Sequence, residues 1–215
     1  MDKELAEFIG LYVGDGSIDV RPEKSTYEFK IVGNPKDEIP YYSFVSSLTS
    51  TIAGRKIKPK ILDCGRSVGI RFCSKNLFEE LKRISLSSTP QTLKRKIPIK
   101  ILKRRGLYVA FLRGLFDTDD CFTVKKKHKI KPYYPVIGIS QKNASLIRQV
   151  AELLTKLKIQ ASVRLNWAYR DKRTGRMYRK SWIYIYGNIN VAKWFGIIGT
   201  HNPKIKDKYQ TFLAK

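Results

Sequence analysis

The sequence predicts an α+β protein made of two tandem copies of one αββαββα unit, and three observations carry this prediction. Helical and strand-like stretches alternate in the same order in both halves of the 215-residue chain. A short glycine-containing sequence recurs at the end of the first helix of each half. Hydrophobic residues make up 42% of the chain, which is enough for a packed core and argues against disorder. Two unrelated α+β pieces are the alternative, but the shared element order favours a duplication.

The first half begins with a helix that ends at a Gly-Asp-Gly breaker. Its second helix has Pro40 in the first turn and Gly54 directly after the end, the usual asymmetry of helix termini. Short runs rich in β-branched and aromatic residues between turn residues predict strands. The elements expected in the first half are helix 3–14, strands 17–20 and 27–33, helix 37–53, strands 58–63 and 67–72, and helix 76–84.

A segment rich in lysine, arginine and proline follows, and it predicts a basic connector over residues 86–105. We therefore expect an N-terminal unit over 1–85 and a C-terminal unit over 106–215. In the second half, the leucine and isoleucine stripe of residues 146–157 has helical spacing. The elements expected there are helix 106–118, strands 121–126 and 133–140, helix 143–157, strands 160–166 and 181–186, and helix 190–198.

The charge of the chain indicates a polyanionic partner. The sequence has 43 Lys and Arg against 18 Asp and Glu, which gives a formal charge of +25. Nucleic acid is the leading candidate and an anionic membrane surface the lesser one. The sequence contains no run of about 18 apolar residues, so no membrane-spanning helix is predicted. The polar N-terminus does not resemble a signal peptide. We expect a cytoplasmic protein, or one of an organelle matrix or stroma if it is encoded there, and not a secreted one.

The recurring sequence ends the first helix of each half. Small residues stand four positions apart in it, Gly10 and Gly14 in one copy and Gly114 and Thr118 in the other. Residues four apart share a helix face, and small side chains there allow two helix backbones to approach closely. The two helices are therefore expected to pack face to face, with their C-terminal ends together.

Each of these helix ends carries an acid, Asp15 in the first half and Asp119 in the second. Two facing carboxylates repel each other unless a cation lies between them, and helix C-termini also favour positive charge. Three cysteines without Cys-x-x-Cys spacing and two histidines leave carboxylates as the only ligands for a metal. Hard oxygen ligands suit Mg²⁺ or Mn²⁺. A single Gly-x-Asp-Gly is usually a turn, but its recurrence in a strongly basic chain favours a metal site.

With these two motifs the sequence resembles the LAGLIDADG homing endonucleases, in the single-chain form with two motifs. The resemblance implies a pseudo-twofold monomer with two antiparallel β-sheets that form a saddle for the DNA major groove. It implies that Asp15 and Asp119 bind the divalent metal, with Gly14 and Thr118 before them, and direct the hydrolysis of one phosphodiester per strand. Asp120 replaces the glycine that normally closes the motif, which adds a carboxylate beside the site.

The resemblance also implies roles for residues outside the motifs. Gln141 matches a position that often carries a polar residue ordering active-site water, and Asn34 is its first-half counterpart. Arg71 matches a position where some members place a basic residue near the scissile phosphate. Lys142 adjoins Gln141 and is a further candidate. The alternative is that Gln141 or Asn143 caps the next helix.

Strand alternation predicts which side chains face DNA. Val68, Ile70 and Phe72 share one face, and Ile183 and Ile185 another, which leaves polar and aromatic residues opposite. Arg, Lys and Asn make the common contacts to phosphates and base edges. An ordinary solvated sheet face is the alternative, as is a mobile charged tip for residues 169–180. The residues expected to bind DNA are Lys30, Lys58, Lys60, Arg66, Arg71, Thr123, Lys125, Lys127, Arg164, Asn166, Arg170, Lys180, Trp182 and Tyr184.

These features favour a metal-dependent endonuclease that cuts double-stranded DNA at a long asymmetric site as a monomer. The first alternative is a maturase that binds intron RNA and assists splicing with the same fold. The second is a catalytically silent DNA-binding protein. Both motif acids are retained, which favours the nuclease over either alternative.

Overall fold

A computed structural model describes residues 1–119, 121–127, 130–171 and 173–214, without the side chains of residues 119, 126, 127 and 130–133. Each half contains a leading helix, two strands, a helix, two strands and further helices. The elements are α1 Lys3–Gly14, β1 Gly16–Arg21, β2 Thr26–Gly33, α2 Ile39–Ala53, β3 Lys60–Leu62, β4 Ser67–Cys73, α3 Lys75–Ser85, α4 Ile99–Lys103, α5 Arg105–Asp119, β5 Cys121–Lys127, β6 Ile130–Gln141, α6 Ala144–Lys156, β7 Ser162–Arg170, β8 Met177–Tyr186, α7 Asn188–Ile197 and α8 Pro203–Leu213.

The strands form two four-stranded antiparallel sheets of the same topology. The strand order is β1-β2-β4-β3 in the first sheet and β5-β6-β8-β7 in the second. In each sheet the two hairpins of one half pair through their second and fourth strands in sequence. The α+β class and the duplicated unit are therefore confirmed.

Side chains at the helix ends explain several element boundaries. Asp2 accepts a hydrogen bond from the Leu5 N–H at 2.8 Å and starts α1, and Ser74 accepts one from the Leu77 N–H at 3.2 Å and starts α3. Asn143 accepts bonds from the Ser145 and Leu146 N–H groups at 2.9 and 3.2 Å, so it is the cap of α6. Gly54 ends α2 at φ +63°, a conformation that glycine adopts without strain.

The motif helices α1 and α5 pack with their backbones in contact. A methyl group added at Gly10 would lie 2.7 Å from the Leu115 nitrogen and under 3.0 Å from the Phe111 carbonyl oxygen. One added at Gly114 would lie under 3.0 Å from the Glu7 carbonyl oxygen. Each glycine thus faces the backbone of the other helix, as the motif predicted. The helices run into the core, and Phe8, Leu11, Phe111 and Leu115 are fully buried.

The predicted connector has more structure than the sequence indicated. A 3₁₀ turn covers Pro90–Lys94 and the short helix α4 follows. Leu93, Ile97 and Ile101 are at most 1% exposed. The segment is thus part of the core, while the boundaries 1–85, 86–105 and 106–215 remain predictions.

Two other features differ from the sequence prediction. Helix α8 was not predicted, and it packs Ile205, Tyr209 and Phe212 against the core. Strands β7 and β8 cover half of the expected 169–180 tip, because β7 continues to Arg170 and β8 begins at Met177. Among the described residues, no helix is long and apolar enough to cross a membrane.

Candidate active site and nucleic-acid interface

The C-terminal end of α1 lies at the start of the first sheet. The N–H of Asp15 donates to the Leu11 carbonyl at 3.1 Å and closes the helix, and its side chain is partly exposed. The backbone then turns directly into β1 at Gly16. A methyl group at Gly16 would lie 2.5 Å from the Tyr12 Cα, so only glycine lets the strand leave the helix at this angle. The local sequence therefore fixes the carboxylate of Asp15 at the junction of helix and sheet.

Two buried tyrosines from α2 lie within electrostatic range of Asp15 at this junction. Burial raises the pKa of Tyr42, and the negative charge of Asp15 raises it further. Burial also raises the pKa of Tyr41, with smaller contributions from several carboxylates that include Asp15. Both phenols are therefore neutral at physiological pH, and the carboxylate of Asp15 is close enough to act on them electrostatically.

An open cavity of about 580 Å³ adjoins the end of α1 and joins the two halves of the chain. Gly14 lines it from the first half, and Gln141 and Lys142 line it from the loop between β6 and α6. Lys180 enters from β8. The structure thus brings together residues that the sequence assigned to opposite halves, because the paired motif helices place the α1 end beside the second sheet.

Two cations from the connector also line this cavity, Lys94 and Arg95. The Lys94 ammonium lies 5.4 Å from the ring centroid of Tyr12 on α1. Sequence reasoning missed both residues, because they are two of seven basic residues within 94–105 and no pattern singles them out. Lys94 is the last residue of the 3₁₀ turn Pro90–Lys94, which packs against α1. That contact is visible only in the folded structure.

The second motif helix ends at Asp119, whose side chain lies outside the described atoms, and Asp120 lies outside the described residues. Thr118 donates its hydroxyl hydrogen within α5, to the Gly114 and Leu115 carbonyls at 3.2 and 3.0 Å. The Thr118 hydroxyl is therefore used inside the helix.

Asp117 lies two residues before Asp119, at the place where the first half has Val13 before Asp15. It is 2% exposed and accepts hydrogen bonds from the Thr200 hydroxyl and from the His201 N–H, the latter at 2.7 Å. Burial raises the pKa of Asp117 to about 7, although these hydrogen bonds oppose the shift. Through these hydrogen bonds, Asp117 holds the loop between α7 and α8 against the motif helix α5.

Among the described side chains, Glu7, Asp117 and His201 form the single group of His, Cys, Asp or Glu residues close enough to hold a cation, with ligand atoms within 4.8 Å of one another. Their polar atoms are already engaged. Glu7 contacts His201 Nδ1 at 2.7 Å and Arg113 at 3.4 Å. We therefore assign this cluster a structural role that ties α1 to the second half.

The other candidate residues from the first half lie on or beside the first sheet. Asn34 organises the loop before α2, where its side-chain oxygen accepts from the Lys36 N–H at 3.0 Å. Arg71 and Lys30 stand opposite each other on β4 and β2. Arg71 pairs with Glu28 at 2.8 Å, and Lys30 pairs with Asp63 at 2.8 Å. Lys58, Lys60 and Arg66 are exposed around β3 and the β3–β4 turn.

Most candidates from the second half lie on the outer face of the second sheet. Ile183 and Ile185 are fully buried, so the alternating residues of β8 point to the opposite side, as predicted. Thr123, Lys125, Arg164 and Arg170 are exposed, and Lys180, Trp182 and Tyr184 are partly exposed. The side chain of Lys127 lies outside the described atoms.

Asn166 departs from the predicted alternation. The β7–β8 register shifts between Arg164 and Trp167, and Asn166 has φ +53°. Its N–H donates to the Ser181 hydroxyl at 3.0 Å. A bulge lets a strand bend and re-aims the residues beyond it. After the shift Trp167 pairs with Lys180, so Trp167 joins the outer face in a way that strict alternation did not predict.

Comparison with known proteins places this fold. The sequence of residues 106–199 matches the family model of the LAGLIDADG-like domain. The fold matches the homing endonuclease I-DmoI in complex with DNA and Ca, with a TM-score of 0.62, 18% identity and coverage of 91% of this chain and 88% of that one. It also matches the I-LtrWI LAGLIDADG homing endonuclease bound to target DNA, with a TM-score of 0.61, 14% identity and coverage of 99% and 89%.

A further match is the N-terminal LAGLIDADG domain of DUF199/WhiA, with a TM-score of 0.53, 14% identity and coverage of 92% of this chain and 81% of that one. No curated protein matches the sequence significantly. The duplicated unit and the paired motif helices define a protein of the LAGLIDADG fold in its single-chain, two-unit form. Residues 106–199 match the LAGLIDADG-like family model, and the whole chain has the fold of the homing endonucleases I-DmoI and I-LtrWI, so the resemblance found from the sequence is confirmed.

Proposed function

We propose that this protein is a divalent-metal-dependent endonuclease that cuts both strands of DNA at a long, asymmetric site. The observation that carries the proposal is the backbone contact between α1 and α5 at Gly10 and Gly114. The two helices run parallel, since Gly106 lies against Lys3 near their N-terminal ends and Gly10 lies against Leu115 farther along. In the proposal, their C-terminal ends therefore bring Asp15 and Asp119 to one region of the molecule. The complexes of I-DmoI and I-LtrWI with DNA support the same use of the fold here.

The residues at these helix ends fit a hard divalent cation. Asp15 supplies a partly exposed carboxylate at a helix C-terminus, and the end carbonyls of a helix carry partial negative charge. In the proposal Asp15 and Asp119 hold Mg²⁺ or Mn²⁺, with Gly14 and Thr118 offering backbone carbonyls. Structures of I-DmoI with DNA and Mn support this choice of metal. The bound metal supplies an activated water and neutralises the leaving oxygen.

The cavity beside Gly14 supplies the groups that surround a scissile phosphate. Lys94, Lys142 and Lys180 bring positive charge to its wall, and preorganised cations stabilise the charge that develops on a phosphoryl group. Gln141 orients water there, and Asn34 is its counterpart in the first half. Arg71, which Glu28 orients on β4, contacts phosphate farther along the first sheet.

The outer faces of the two sheets bind the duplex. The residues assigned to these contacts are those predicted from the sequence, together with Trp167, which follows the bulge at Asn166. One chain presents both faces, so the complex contains one protein per duplex. A target with two different halves follows, since the two faces carry different residues.

The proposal is tested with Asp15→Asn and Asp119→Asn, each of which keeps the size of the side chain and removes its charge. Cleavage of a duplex selected from a randomised library is measured in Mg²⁺, and binding of the same duplex is measured in Ca²⁺. Each variant is expected to lose cleavage by at least about 10³-fold, since metal-bound charge is lost at the reacting phosphate, while binding changes little. Asp207→Asn removes the same charge from exposed α8 and serves as the matched control.

Normal cleavage by both variants would remove the two aspartates from the site. Loss of cleavage in the Asp207→Asn control would show that net charge alone is responsible. Sedimentation of the wild-type complex should give one chain per duplex, and a stable dimer on one duplex would contradict the single-chain assignment.

A further inference from the structure

The outer faces of the two sheets differ in chemistry. On the first sheet, cations and carboxylates pair across the surface: Lys30 with Asp63 at 2.8 Å, and Arg71 with Glu28 at 2.8 Å. Its outward positions carry no aromatic side chain, because Phe29 and Phe72 are buried and Tyr27 packs against Phe78 and the core. This face offers charged and hydrogen-bonding groups.

The second sheet carries an aromatic ridge, formed by Trp182, Tyr184 and Tyr186 on β8. The Trp182 and Tyr184 rings are parallel to within 3°, with centroids 5.8 Å apart, and the Tyr184 and Tyr186 rings stack at 5.8 Å and 23°. The four strands of this sheet contain no Asp or Glu. The second face therefore offers a large apolar surface with cations that no strand carboxylate neutralises.

The backbone beneath the ridge holds its rings in place. Gly138 on β6 stands opposite Tyr184, and a methyl group added there would lie 3.6 Å from Tyr184 Cε1 and 3.4 Å from the Cys121 sulfur. The rings thus rest directly on the sheet. A surface that is ordered before binding loses little conformational entropy on binding, which favours its use in recognition.

The ring faces of the ridge are largely occupied. Tyr184 stacks between its two neighbours. The ammonium groups of Lys125 and Lys180 lie 5.9 Å from the Tyr184 and Trp182 centroids, respectively. Unpaired nucleotides bind proteins by stacking on free aromatic faces, and Tyr184 has neither face free. The ridge is therefore better suited to touching base edges in a duplex.

The major groove presents one apolar group, the C5-methyl of thymine. We propose that the aromatic ridge reads thymine methyl groups in the half-site that the second sheet covers, while the first sheet reads its half-site through hydrogen bonds and charge. This inference rests on the proposed function, because it requires a duplex on the outer faces. It makes the ridge a specificity-determining surface for one half of the target.

The test removes methyl groups from the DNA and leaves every hydrogen-bonding group in place. Two randomised duplex libraries are prepared, one with thymidine and one with deoxyuridine, and each is selected on the full-length protein in Ca²⁺. In the best thymidine duplex, each T·A pair is then replaced singly by U·A. Binding is expected to weaken about fourfold per methyl group, from ~0.8 kcal/mol for one buried carbon group, at positions clustered in one half-site.

Variants assign the sensitive half-site to the ridge. Tyr184→Ala should abolish the difference between thymine and uracil at one or more of these positions, and Tyr184→Phe, which keeps the ring, should retain it. Lys60→Ala on the first sheet is the matched control and should leave the thymine-to-uracil ratio unchanged. The comparison of thymine and uracil duplexes is made with the wild-type protein and needs no variant. A folding defect in Tyr184→Ala therefore does not affect the main result.

The outcomes separate this inference from the proposed function. Selection of no duplex at all would refute the proposed function together with the inference. Tight duplex binding with equal affinity for thymine and uracil targets would refute the inference alone. Tighter binding of single-stranded DNA or RNA than of the duplex would also overturn it, and would identify the ridge as a base-stacking surface. Methyl sensitivity that survives Tyr184→Ala would place the contact elsewhere.

Discussion

The contact between the motif helices can be tested by adding one methyl group at Gly10. In Gly10→Ala the new carbon would lie 2.7 Å from the Leu115 nitrogen and under 3.0 Å from the Phe111 carbonyl oxygen. Both atoms belong to helix backbone, which cannot rotate away as a side chain can. Optimal carbon contacts lie at about 3.5–4.0 Å, so α1 and α5 must move apart by roughly 1 Å.

The expected cost follows from two opposing effects. Overpacking a core costs about 1–3 kcal/mol, and the rigid backbone here places Gly10→Ala at the upper end. Alanine is favoured over glycine inside a helix by about 1 kcal/mol. The free energy of unfolding should therefore fall by ~2 kcal/mol. Cleavage should fall by about 10²-fold, since a shift of about 1 Å at the helix ends misplaces the acids.

Urea unfolding followed by circular dichroism measures the change in stability. Gly196→Ala is the matched control, because Gly196 lies within α7 and an added methyl group meets no atom within 4 Å. This control should be as stable as the wild type, or more stable by up to ~1 kcal/mol. If Gly10→Ala proves as stable as Gly196→Ala, the two helices do not pack backbone to backbone, and the acids lose the contact that brings them together.

Three further expectations concern the active site, the interface and a helix end. Lys94→Met should lower cleavage by about 10²-fold, as expected when one group that stabilises developing charge is removed, with little change in binding in Ca²⁺; an unchanged cleavage rate would remove Lys94 from the site. Asp63→Asn frees Lys30 from its ion pair, so DNA binding should tighten. The slope of log affinity against log salt concentration should become steeper by about 0.9, for one more neutralised phosphate. An unaltered slope would show that Lys30 contacts no phosphate. Asn143→Ala should lower the free energy of unfolding, measured by urea titration, by ~1 kcal/mol through loss of the α6 cap. A stability equal to that of the wild type would mean that another group accepts hydrogen bonds from the first N–H groups of α6.

The sequence predicted the fold where one local pattern determined the result. The alternation in β8 correctly predicted that Ile183 and Ile185 are buried, because one face of that strand contacts the core along its length. Alternation failed in β7 because the bulge at Asn166 shifts the pairing, and nothing local requires a non-glycine residue to adopt φ +53°. Helix α8 was missed because its buried surface is small, with Ile205 as its only fully buried residue.

The candidate site was predictable in part. The spacing of Gly10 and Gly114 predicted the helix contact because only small residues allow such an approach, and the structure shows it. The meeting of Gly14 with Gln141 depends on how the halves pack, which no local pattern encodes. The position of Lys94 in the cavity depends on the path of the connector, and the composition of the connector indicates only that it is basic. The roles of Asp15 and Asp119 remain predictions that the Asn variants test.

The segment between the halves limits how this protein can be divided or recombined. Ile97 donates its N–H to Gln149 on α6 at 2.8 Å, and Leu93 is 1% exposed. Lys94 in the same stretch reaches Tyr12 on α1. A chimera that grafts a foreign partner onto either half must therefore carry residues 86–105 along with it. A flexible glycine-serine tether in their place would leave hydrophobic surface uncovered on both sides of the junction.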